Sequence, residues 1–84
     1  MLVLDKKQIE EVIDLNGMMD QIEEAYRIFG SGDFYMPPRP TVEDENKTMM
    51  YMPCYTKEII GTKILSIFPD NAKLGLPSID GIVY

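Results

Sequence analysis

The sequence predicts an α+β domain: two N-terminal helices packed on a mostly antiparallel β-sheet, in two layers. Two observations lead there. Apolar residues recur at helical spacing only before Gly30, and beyond it isoleucine- and methionine-rich runs alternate with proline, glycine and polar turns. At 84 residues and 45 % hydrophobic, the chain suits one small folded domain.

Leu2-Val3-Leu4 reads as a short strand. Asp5 then caps a first helix, with Gln8 completing a capping-box pattern. Ile9, Val12 and Ile13 fall on one face, and Leu15-Asn16-Gly17 breaks this helix. A second helix starts near Asn16 or Gly17, with Met18, Ile22, Ala25, Tyr26 and Phe29 along one stripe. Gly30-Ser31-Gly32-Asp33 stops it.

Met36-Pro37-Pro38-Arg39-Pro40 must run extended, because proline fixes its own backbone and disfavours helix before it. Thr41-Val42-Glu43 begins a strand, Asp44 to Lys47 turns, and Thr48 to Met52 returns. Pro53 to Glu58 connects to the strongest strand, Ile59 to Phe68. Pro69-Asp70-Asn71 ends that strand, Lys73 to Pro77 forms a loop, and Ser78 to Tyr84 is a last strand. A terminal strand implies an edge that another element or another copy covers.

Eight Lys+Arg against fourteen Asp+Glu give a net charge of −6. That argues against nucleic acid and anionic membrane surfaces as partners. No apolar run is long enough to span a bilayer. A single cysteine, Cys54, and no signal-peptide pattern point to a reducing cytoplasm. The absence of histidine removes His-based triads and most zinc sites, so no metal is expected.

Two side chains carry candidate chemistry. Lys63 shares a strand face with Gly61, Leu65 and Ile67, where burial would suit a lysine to proton transfer or iminium chemistry. A lysine that snorkels to solvent at a sheet margin fits the same pattern. Arg39 sits among three prolines, where a stiff backbone holds a guanidinium fork suited to a carboxylate. An ordinary exposed loop arginine is the alternative. Gly30-Ser31-Gly32 is not a dinucleotide fingerprint, because it follows a helix rather than a strand.

Several segments together resemble the ornithine cyclodeaminase/mu-crystallin family. They are Leu2-Val3-Leu4, Ile22-Glu23-Glu24-Ala25-Tyr26, Met36-Pro37-Pro38-Arg39, Tyr51-Met52-Pro53, Gly61-Thr62-Lys63, Phe68-Pro69-Asp70-Asn71 and Gly75-Leu76-Pro77-Ser78. Their order and spacing cover almost the whole chain. The resemblance implies that Arg39 binds a substrate carboxylate and that Lys63 is a catalytic or substrate-polarising group. It implies an enzyme that deaminates an amino acid or reduces an imine, using NAD(H) or NADP(H). Met50 stands where ornithine cyclodeaminase carries a glutamate, which leaves an alanine-like or ketimine-like substrate equally open.

Residues 1–84 are expected to form part of an N-terminal substrate-binding and dimerisation domain, without the Rossmann domain. The chain alone is therefore expected to hold no cofactor and to be inactive, because side chains do not replace a nicotinamide. The expected partners are a small amino or imino acid and a second copy in a homodimer. The alternative is a non-enzymatic dimerisation or small-ligand binding module of mu-crystallin type.

Overall fold

The computed structural model describes all residues, Met1–Tyr84. It has α+β architecture with a fully antiparallel five-stranded sheet. The chain divides into a helical unit, Met1–Gly32, and a sheet unit, Asp33–Tyr84.

Helix α1 spans Lys6–Val12. Asp5 accepts from the Gln8 amide at 2.9 Å while Gln8 Oε1 accepts from the Asp5 amide at 2.9 Å, so both ends of the expected capping box form. Helix α2 spans Leu15–Ser31 and starts earlier than the sequence suggests. Its N-cap is Asp14, whose carboxylate accepts from Gly17 N at 3.0 Å, so Leu15 and Asn16 lie inside the helix. Gly32 ends it at φ 78, a left-handed cap that favours glycine. Leu2-Val3-Leu4 forms no strand, because nothing pairs with its backbone.

The sheet comprises β1 (Phe34–Tyr35), β2 (Thr41–Asp44), β3 (Lys47–Thr56), β4 (Ile60–Ile67) and β5 (Ile79–Val83). Strands β1 and β2 share one edge of β3, and β4 and β5 follow on its other side. The turn between β2 and β3 takes Glu45 to φ 55.

Strand β3 runs through Pro53, where the sequence suggested a connection. The ladder explains why. Thr56 donates to Ile59 O, and alternation from that bond turns the Pro53 nitrogen away from β4. It faces the edge between β1 and β2, where no ladder bond is lost. Residues Pro69–Leu74 form a 3₁₀ turn rather than plain loop, closed by Gly75 at φ 72. Pairing of β5 continues to Tyr84, which exchanges two 2.8 Å bonds with Thr62.

Opposed residues in an antiparallel ladder share a face. One face of the sheet carries Met50, Met52, Leu65, Ile67, Ile79 and Val83. The other carries Met49, Tyr51, Tyr55, Ile60, Ile64 and Ile82. Both are apolar, the pattern of a sheet that is covered on two sides. No residue of the chain is fully buried.

Candidate functional site

Lys63 lies mid-strand on β4, directly opposite Met52 on β3 and Val83 on β5. Its side chain is on the same face as Leu65 and Ile67, as the alternation predicts, and it is exposed.

Arg39 precedes β2, which pairs with the edge of β3 opposite β4. The register of β2 on β3 pairs Thr41 with Met50, and Tyr51 N donates to Pro40 O at 3.0 Å. Arg39 is the next residue upstream, beside this bond and outside the paired residues of β2. Met52, Lys63 and Val83 form one rung across β3, β4 and β5.

Neither cation is neutralised within the chain. Lys6, Arg27, Lys47, Lys57 and Lys73 all form ion pairs, whereas Lys7, Arg39 and Lys63 do not. Arg39 and Lys63 both remain without a carboxylate partner in a chain of net charge −6. The Arg39 guanidinium rests on a thioether, with Nη2 donating to Met36 Sδ at 3.3 Å. The Arg39 carbonyl accepts from Thr41 Oγ1 at 3.4 Å.

Cys54 is half-buried opposite Gly61 on this face. No group of His, Cys, Asp or Glu is arranged to hold a metal ion. Gly30 and Ser31 close helix α2 and Gly32 caps its C-terminus. A helix C-terminus presents carbonyls to its surroundings, so these glycines do not fit a dinucleotide's pyrophosphate. A groove of about 430 Å³ lined by Met49, Ile64, Phe68 and Ile82 opens on the other face and includes neither Arg39 nor Lys63.

Past β4, Asn46 at the hairpin tip donates to Asp70 Oδ2 at 2.9 Å, and Lys73 pairs with Asp70 at 3.0 Å. The Asn46 amide, then the Lys73 ammonium, hold the Asp70 carboxyl below its ordinary pKa. Asn71 Nδ2 donates to Pro77 O at 3.1 Å. These bonds fix the return from β4 into β5, a link between Asn46 and Asp70 that local sequence signals do not reveal.

The ornithine cyclodeaminase/mu-crystallin family model matches residues 1–83. Alanine dehydrogenase of Archaeoglobus fulgidus is 31 % identical over 78 residues, covering 93 % of this chain and 24 % of the relative. Delta(1)-pyrroline-2-carboxylate reductase of Bacillus cereus is 26 % identical over an 87-residue alignment, covering 99 % of this chain and 27 % of the relative. Among solved structures, an archaeal alanine dehydrogenase dimer with bound NAD matches with a TM-score of 0.85 and 29 % identity, over 99 % of this chain and 26 % of the other. Delta(1)-pyrroline-2-carboxylate reductase of Thermococcus litoralis, in complex with NADH and L-proline, matches with a TM-score of 0.85 and 30 % identity, over 99 % and 27 %. The chain spans about a quarter of the length of these relatives.

Proposed function

The chain belongs to the ornithine cyclodeaminase/mu-crystallin family, and from that premise we propose that it supplies part of the substrate site of an NAD(P)-dependent enzyme acting on a small amino or imino acid. The observation that supports this reading is that Arg39 and Lys63, neither of them in an ion pair, stand on the two sides of β3, Lys63 opposite Met52 and Arg39 next to the Pro40–Tyr51 bond. Arg39 grips the substrate carboxylate through its fork. Lys63 then meets the neighbouring C–N or C=O group, where its ammonium polarises the bond. Met52 and Val83 beside Lys63 are apolar, so the site favours substrates whose charge is concentrated at the carboxylate and amine. An alanine- or proline-sized amino acid fits better than one with a distal ammonium, for which the rung offers no carboxylate. In this reading the nicotinamide is held by residues other than Arg39 and Lys63.

Titration of the chain with pyruvate, L-alanine and L-proline tests this. Binding that Arg39→Ala abolishes and Lys63→Met weakens supports the site. Absence of binding to all three, or binding unchanged in Arg39→Ala, overturns it.

A second reading has its own support. Both sheet faces are apolar and no residue is buried, which favours a homodimeric assembly that covers them. Sedimentation equilibrium of the chain tests that role independently of ligand. We place the protein in the cytoplasm, where Cys54 stays reduced.

A further inference from the structure

The partner of the Arg39 guanidinium is a sulfur atom three residues upstream. Pro37 and Pro38 lie between the two residues and hold the backbone extended. The contact is therefore carried by a stiff segment and is in place before any ligand arrives. A thioether is a weak acceptor, so it steadies the fork without competing with a carboxylate.

Resting on the reading of Arg39 as a carboxylate clamp, we infer that Met36 is the positioning residue for its guanidinium and makes the clamp sensitive to oxidation. Met36 is 39 % exposed, within reach of a dissolved peroxide. The sulfur lone pair attacks a peroxide oxygen; an S–O bond forms, the O–O bond breaks and water leaves. Methionine is oxidised to the sulfoxide by two electrons and the peroxide is reduced. The new sulfoxide oxygen is a stronger acceptor than sulfur and lies beside Nη2. It captures an N–H that a substrate carboxylate needs. Methionine sulfoxide reductase reverses the change.

The test uses the 84-residue chain with isotope-labelled arginine, followed by NMR before and after hydrogen peroxide. The Arg39 side-chain signals shift in the wild type and return after reductase treatment. The peroxide-induced shift of the Arg39 signals is lost in Met36→Leu and persists in Met52→Leu, which removes the other thioether near Arg39. Met36→Leu weakens pyruvate binding by about twofold to tenfold, the range of a hydrogen bond's modest net contribution. Oxidation of the wild type weakens it further. Unchanged Arg39 signals in the oxidised wild type, or an equal shift in Met36→Leu, overturn the assignment. If pyruvate binds neither form while the Arg39 signals still follow Met36 oxidation, the positioning role stands and the carboxylate role of Arg39 falls.

Discussion

Met52 on β3 stands directly opposite Lys63 on β4, with Val83 on β5 completing an apolar setting for one ammonium group. Lysine contributes little to such a rung, since its hydrated charge gains nothing from either neighbour. Lys63→Met keeps the stem and extends the apolar row. Stability in urea should hold or rise by about 0.5 kcal/mol, within the span of cross-strand pair effects, while amino-acid binding weakens. That combination marks a side chain retained for function rather than for folding. A clear loss of stability with unchanged binding would instead make Lys63 structural.

Gly81 pairs with Leu65, and no side chain fits there. An added Cβ would lie 2.6 Å from the Ile64 carbonyl oxygen and 3.0 Å from Leu65 Cβ. Backbone cannot yield as a flexible side chain does. Gly81→Ala should cost about 1–3 kcal/mol, the usual range for overpacking. Faster amide exchange at Ile64 and Ile82, with Thr48 unaffected, would report the opened β4–β5 ladder. Gly30→Ala is the contrast: nothing lies within 4 Å, and removing a helical glycine should stabilise by about 0.5–1 kcal/mol.

Acid should loosen the clasp between the hairpin tip and the 3₁₀ turn. The folded Asp70 pKa lies below its unfolded value of about 3.9. Its stabilisation is therefore fully present above that value and is lost as pH falls through the folded pKa. Asn46→Ala removes the larger cause, so the Asp70 carboxyl should titrate at higher pH by ¹³C NMR. An identical titration curve in the variant would show that the Asn46 bond does not form in solution.

The capping box at Asp5 makes a separate, local prediction. Asp5→Ala leaves the Gln8 amide without its acceptor and should cost α1 about 1 kcal/mol. In a helix of seven residues that is enough to lower its Cα secondary shifts visibly. Unaltered shifts in α1 would mean that another group caps it.

Features set by neighbours in sequence were legible, and features set by the register were not. Asp5 and Gln8 form a local pair, so their box could be read three residues apart. The face of Lys63 followed from strand alternation alone. Pro53 misled because proline usually ends a strand; only the ladder shows its nitrogen turned to an edge that needs no donor. Phe34–Tyr35 is too short to show a period, and its partners Tyr55 and Thr56 are distant in sequence. Leu2-Val3-Leu4 has strand composition without a partner to pair with. The relation between Arg39 and Lys63 was hidden for the same reason: it needs the registers of β2 and β4 on β3.

That relation yields the most demanding prediction. Arg39→Lys keeps the positive charge but not the planar fork. If the site only required positive potential, the substitution would leave carboxylate binding nearly unchanged. A bidentate clamp requires two parallel N–H donors, and a flexible ammonium supplies them poorly. The extended Met36–Pro40 segment is stiff, so the backbone cannot move to compensate a shorter reach. Pyruvate affinity in Arg39→Lys should therefore fall by about tenfold or more, in the range of a lost charge-assisted hydrogen bond. Calorimetry at low and moderate salt separates the alternatives. A bidentate site keeps its wild-type preference over Arg39→Lys at both ionic strengths, whereas a purely electrostatic site loses affinity with salt in both proteins alike.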